Sequence, residues 1–179
     1  MSTPDPLPGD FAVVSIGGQS GALISAMEEI AYDHATHWDH AFVYTGGGMI
    51  VQAEPGGARK VALGSYEYAI WSTGILSPSG TQRNAIVAAA EKYADARVGY
   101  SWADYAAIAA HRFHVPAPGL RAYIASTGHE ICSQLVDQCW LDGGYHLFSD
   151  GRWPGFVAPF DLGTLLYQAL GASVLPRAS

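Results

Sequence analysis

The stretch HAFVYTGGGMIVQAE, running from His40 to Glu54, decides how this chain reads. Two extended runs, His40 to Thr45 and Met49 to Glu54, are rich in β-branched and aromatic residues. They flank Gly46-Gly47-Gly48, and together they have the pattern of a β-hairpin. A three-residue loop pairs Thr45 with Met49, and stepping back along both strands sets His40 directly opposite Glu54. Opposed side chains have Cβ atoms about 4.5 to 5.5 Å apart, within reach for a carboxylate to bond one imidazole nitrogen and fix its tautomer. Gln52, two residues earlier on the same face, is the reserve orienter. A two-residue loop would shift the partner by one and turn Glu54 to the other face.

Working outward, Pro8-Gly9-Asp10 is turn chemistry, and Phe11 to Ile16 reads as a buried strand stopped by Gly17-Gly18. From Ser20, Leu23, Ile24, Met27, Ile30 and Ala31 recur at helical spacing. Val61 to Leu63 and Tyr66 to Ser72 add strands to the hairpin. Thr81 is a good N-cap for an Ala-rich helix to about Arg97, closed by Gly99, and a shorter helix is expected from Trp102 to His111. Glu130 to Leu141 carries the apolar stripe Ile131, Leu135, Val136 and Cys139 before Gly143-Gly144 ends it. Asp161 is expected to cap a last helix through Leu165, Leu166 and Leu170. Strands early and helices late make an α+β domain with an antiparallel sheet, spanning 9–175 between a flexible tail, 1–8, and a frayed end, 176–179.

The chain has 179 residues, of which 49% are hydrophobic and 14% charged, enough apolar content for one well-packed domain. A net charge of -7 repels polyanions, so nucleic acid and anionic membrane are poor partners. No apolar run is long enough to be a transmembrane segment, and Met1 to Pro8 lacks the blocks of a signal peptide. The expectation is therefore a soluble protein, cytoplasmic or released without such a peptide. Cys132 and Cys139 lie seven residues apart on one expected helix, about 10 Å along its axis, too far for a disulfide. Both are read as free thiols.

A thiol in the first turn of a helix meets the positive end of the helix dipole, which favours the thiolate, and the same N-terminus can offer N–H groups to an oxyanion. Cys132 occupies that position, and Cys139, deeper in the helix, is read as core. With His40 as base and Glu54 behind it, the constellation is a Cys-His-acid triad for nucleophilic catalysis on an acyl carbon. The chief rival is metallic: His34, His37 and His40 with Asp33 and Asp39 are dense in donors for zinc. No His-Glu-x-x-His spacing supports it, so no metal or other cofactor is expected. The absence of a Gly-x-Ser-x-Gly elbow likewise counts against a serine α/β-hydrolase.

Pro-Gly-Asp before the first strand, His40 opening HAFVYTG, Glu54 closing the next strand, and the late helix ICSQLV together resemble the YiiX-like branch of the NlpC-type papain-like cysteine peptidases. The resemblance implies a papain-like fold in permuted order, with the His strand before the Cys helix. Gly99-Tyr-Ser-Trp102 is similar to the G-x-Y-x-W stretch of unpermuted members, which adds Tyr100 to the site for substrate positioning or the oxyanion; Ser133, next to the nucleophile, and Gln52 are further candidates for the substrate and oxyanion side of the site. Lecithin retinol acyltransferase shares the permuted fold but carries an Asn-Cys-Glu-His-type stretch where this chain has Ile131-Cys-Ser-Gln, which argues against acyl transfer to an acceptor. The implied activity is that of a peptidase or amidase acting through a thioester on a peptide or acyl-amide substrate, including cell-wall peptide (peptidoglycan) or a lipid-linked substrate. The alternative is a non-catalytic binding or assembly module within a larger assembly, such as a phage tail or secretion apparatus.

Overall fold

A computed structural model of the chain describes residues 5–15, 38, 40–54, 56–64, 69–99 and 131–174. At its centre is the expected hairpin, β2 (His40–Gly46) and β3 (Met49–Glu54). Val43 pairs with Val51 and Tyr44 with Ile50, the expected ladder, but the loop is not the expected three residues. Gly46 pairs with Met49, leaving a two-residue turn at Gly47-Gly48, with φ of 60° and 72°. Positive φ at both central positions is what a tight hairpin turn requires if its twist is to match the strands, and glycine supplies it without strain. The ladder is irregular between Tyr44 and Gly46, where Thr45 is the extra residue. A bulge of this kind restores the register that the shorter turn would have shifted.

Around the hairpin lie β1 (Phe11–Val14), β4 (Gly57–Ala62) and β5 (Ile70–Trp71), in an antiparallel sheet of order β4-β3-β2-β1-β5. β4 starts earlier than the expected Val61, because Gly56-Gly57 reads as punctuation and Arg59-Lys60 as surface. All of β4 nonetheless pairs with β3, from Glu54↔Gly57 to Met49↔Ala62. β1 ends at Val14, two residues before the expected Ile16. Alternation along the strands divides the core. Phe11, Val13, Ala41, Val43, Val51 and Ala53 face the helices, while Ala12, Val14, Phe42 and Ile50 pack on the other side under Tyr44, Val61 and Trp71.

Helix α1 (Gly80–Asp95) starts at Ser79 and not at the expected Thr81. Gln82 N donates to Ser79 Oγ (3.3 Å) and Ser79 N to Gln82 Oε1 (2.9 Å), a reciprocal capping box that a lone threonine does not match. α2 (Cys132–Asp142) comes late in the chain, ends at Gly143 as expected, and packs on α1, β2 and β3. Its fully buried Trp140 meets Phe11 edge-on at 5.3 Å and Tyr145 at 5.1 Å, fastening α2 to β1. A 3-10 turn (Pro154–Phe156) leads into α3 (Pro159–Val174). Asp161 lies inside the first turn of α3 and accepts from Ala158 N at 2.9 Å, so it supports the helix start from within instead of capping it. The helices expected from Ser20 and over Trp102 to His111 fall outside the described residues, as does part of the strand expected over Tyr66 to Ser72. Among the described residues no helix is long and apolar enough to cross a membrane.

Candidate functional site

Strand alternation puts His40, Gln52 and Glu54 on the same face of the sheet, and the structure joins them in a line. His40 Nε2 and Gln52 Oε1 are 2.9 Å apart, both side chains buried. Gln52 Nε2 in turn donates to Glu54 Oε1, and Glu54 Oε2 pairs with Arg59 on β4. The expected contact between His40 and Glu54 is therefore made through Gln52, the reserve orienter. The reason is side-chain reach: the Gln52 amide fits between ring and carboxylate, and Arg59 draws Glu54 outward.

This line favours one imidazole tautomer. A carboxylate can only accept, so the amide nitrogen of Gln52 must face Glu54 and its oxygen must face His40. An amide oxygen also only accepts, so His40 Nε2 carries the proton and donates. Nδ1 is then the basic nitrogen of the neutral ring.

Cys132 is the first residue of α2, with Ile131 as N-cap in extended conformation (φ -85°, ψ 165°). Intrahelical bonding begins with Leu135 N to Ile131 O at 3.0 Å, so the three N–H groups before it make no bond of this kind. Ile131 has no side-chain oxygen to cap them and the first turn holds no acidic residue, which leaves the terminus positive. Two side chains hold this helix start in place. Ser133, expected beside the substrate, is fully buried and donates from Oγ to Val157 O at 2.7 Å. Gln134 accepts from Ile131 N at 3.0 Å and donates to Gly155 O at 2.8 Å. Gly155 is needed there, because a Cβ on it would come within 2.2 Å of the Trp153 ring. The Ser133 hydroxyl is thus a fastening for α2 and is not presented to a ligand.

Cys132 itself is only 1% exposed, and Cys139 is buried as expected of a core residue; neither is in a disulfide. The apolar side of α2 lies on the sheet face lined by Ala41, Val43, Val51 and Ala53, whereas His40 belongs by alternation to the opposite face. Any approach of Cys132 to His40 therefore runs around the end of β2, where His40 is the first residue, and not through the sheet. Tyr100, His34, His37, Asp33 and Asp39 lie outside the described residues. Among the described residues no group of three or more His, Cys, Asp or Glu side chains could hold a metal ion.

Sequence reasoning missed two buried carboxylates. Asp10, read only as turn chemistry, is fully buried; it accepts from Arg83 Nη1 (2.7 Å), Leu7 N (2.8 Å) and Thr73 Oγ1 (2.7 Å), and so ties β1 to α1 and to the segment after β5. Asp137 lies on α2, four residues after Ser133, and was hidden by the apolar stripe around it. It is fully buried, and neither of its oxygens has a hydrogen-bond partner among the described residues. Burial pushes its pKa up to about 6; His146 and Arg152 act against that rise, and Asp161 and Asp150 add to it. Comparison of the chain with protein-family models, with curated proteins and with solved structures gave no match.

Proposed function

We propose that this chain is a cysteine hydrolase, a peptidase or amidase, with Cys132 as nucleophile, His40 as its acid and base, and Gln52 as the orienter of His40. The observation that carries this reading is the line from Glu54 through Gln52 to His40, which holds the imidazole in one tautomer by a neutral amide. Papain-like proteases use the same logic, Cys-His-Asn in place of Ser-His-Asp. The positive start of α2 at Cys132 supplies the second element. The resemblance of HAFVYTG and ICSQLV to the YiiX-like, permuted NlpC-type peptidases points the same way and gives the substrate class, a peptide amide such as one in cell-wall peptide.

In this reading His40 Nδ1 takes the Cys132 thiol proton, and the sulfur attacks the carbonyl carbon. Backbone N–H groups at the start of α2, with Tyr100 as the resemblance implies, hold the oxyanion. The proton passes from His40 to the leaving amine as the C–N bond breaks, leaving a thioester. A water that gives its proton to His40 adds to the thioester, and the acid departs as the proton returns to sulfur.

The burial of Cys132 favours a second reading, a binding or assembly module of the same fold whose thiol is only packed. Labelling intact protein with a thiol-reactive probe and locating the adduct by mass spectrometry separates the two. The enzyme reading expects Cys132 to react far faster than Cys139 although both are buried, and Cys132→Ser to abolish hydrolysis of peptide-amide substrates. Equal, sluggish labelling of the two thiols would overturn it in favour of the module.

A further inference from the structure

We infer that Arg59 is a positioning residue for His40, acting through Glu54 and Gln52; this rests on the assignment of His40 as the base. A primary amide fits its pocket in two orientations that exchange oxygen and nitrogen, and only its hydrogen-bond partners choose between them. Gln52 has a partner that can choose, the Glu54 carboxylate, which favours one orientation for as long as it stays beside the amide.

On β4 no side chain opposes Glu54 directly, since its partner in register there is Gly57. The cation that holds it comes from the diagonal position. Arg59 stands opposite Gln52 on β4, on the same face, and its guanidinium reaches Glu54 Oε2 while Gln52 holds Oε1. Lys60, the next cation on β4, falls on the other face by alternation and pairs with Glu91. The line also runs from inside to outside: His40 and Gln52 are buried, while the side chains of Glu54 and Arg59 are 29% and 56% exposed. Glu54 is exposed enough to turn into water if Arg59 lets go. The amide is then able to rotate and present its NH2 to the ring, and His40 takes the other tautomer, with the proton on Nδ1 and no base on that nitrogen.

The test compares wild type, Arg59→Met, which keeps the aliphatic stem and removes the donor, and Arg59→Lys, which restores a cation. The ring nitrogens of His40 are followed by long-range proton–nitrogen NMR, assigned by the signal lost in His40→Phe, together with the pH profile of Cys132 alkylation. The expected result is a fall in the ratio of Nε2–H to Nδ1–H tautomer by about two- to five-fold in Arg59→Met, the bias that a partly exposed ion pair can impose, with partial recovery in Arg59→Lys. Cys132 alkylation near neutral pH should fall in parallel. An unchanged tautomer ratio in folded Arg59→Met would overturn the inference and leave the cysteine-hydrolase reading standing. If instead wild-type Cys132 reacts no faster than Cys139, the hydrolase reading fails, and the tautomer ratio still decides whether Arg59 sets the ring.

Discussion

Asp137→Asn should raise stability at neutral pH and lose that advantage in mild acid. The native carboxyl titrates at about 6 against an ordinary value of 3.8, because burial penalises its charged form and no hydrogen bond compensates among the described residues. In this direction the native state binds the proton more tightly than the unfolded chain, so the group is least harmful to stability below pH 3.8. Its cost grows as pH rises through 6 and is constant above. The separation of about two units corresponds to about 3 kcal/mol at 1.36 kcal/mol per unit, of which about 2 kcal/mol develops between pH 4.5 and 7.5. Urea melts of wild type and Asp137→Asn at closely spaced pH values measure this. The buried amide of the variant adds an offset independent of pH, so the slope of the difference is the observable. On melting temperature the same change is about 4 to 8 °C for a domain of this size. His146 also acts on Asp137, as do Arg152, Asp161 and Asp150, so the series is repeated in a His146→Gln background to separate the contribution of that neighbour. A gap between wild type and variant that stays flat from pH 4.5 to 7.5 would refute the reasoning, because it would mean the carboxyl is solvated or partnered in the native protein.

Two further outcomes follow from the geometry. Gln52→Met should slow Cys132 alkylation near neutral pH by about ten-fold, the worth of one buried hydrogen bond, and by more than Glu54→Gln does, since Gln52 bonds the ring directly and Glu54 acts through it; the reverse order would restore Glu54 as the direct orienter. Asp10→Ala should destabilise the fold by about 3 kcal/mol in denaturant melts, because it removes the acceptor shared by Arg83, Thr73 and Leu7 N while the folded fraction keeps its Cys132 reactivity; a loss under about 1 kcal/mol would show that the buried pair contributes little.

The hairpin shows what was legible in the sequence and what was not. Three glycines between two β-branched runs announced a turn, and the expected ladder from Tyr44↔Ile50 to Val43↔Val51 is the observed one. It arises differently, from a two-residue turn and a bulge whose effects cancel. Because an error of one residue in the loop was offset by one residue in the strand, Gln52 and Glu54 both stayed on the face of His40. Which of them touches the ring is a matter of side-chain length and of a cation one strand further on, and Arg59 had no visible connection to His40 before β4 was paired. Asp10 and Asp137 were illegible for a related reason. A carboxylate next to a turn or within an apolar helix stripe looks like a solvated group until the packing around it is known. The start of α2 was easier, since Gly143-Gly144 fixed one end and the apolar stripe fixed the phase, which placed Cys132 in the first turn.

The identity of the side chain touching His40 also changes where charge is supplied. A carboxylate in contact with the ring would both orient it and stabilise its cation, whereas an amide orients it without adding charge. In this domain the carboxylate stands one step further out and is paired with Arg59, so much of its field is neutralised before it reaches the imidazole. In the proposed reaction, favourable charge for a developing anion must then come from the other partner, the start of α2. Its first turn carries no acidic residue, and Ile131 offers no capping oxygen to the terminal N–H groups. A terminus without an N-cap side-chain bond costs stability, and the chain offsets that cost nearby, using Ser133 and Gln134 to bind the carbonyls of Val157 and Gly155. Those two bonds fix the start of the helix without occupying its positive end. In the proposed reaction the hairpin thus supplies orientation and the helix supplies charge. The Gln52 and Arg59 variants should therefore act through the tautomer of His40, and variants of Ser133 through the placement of Cys132.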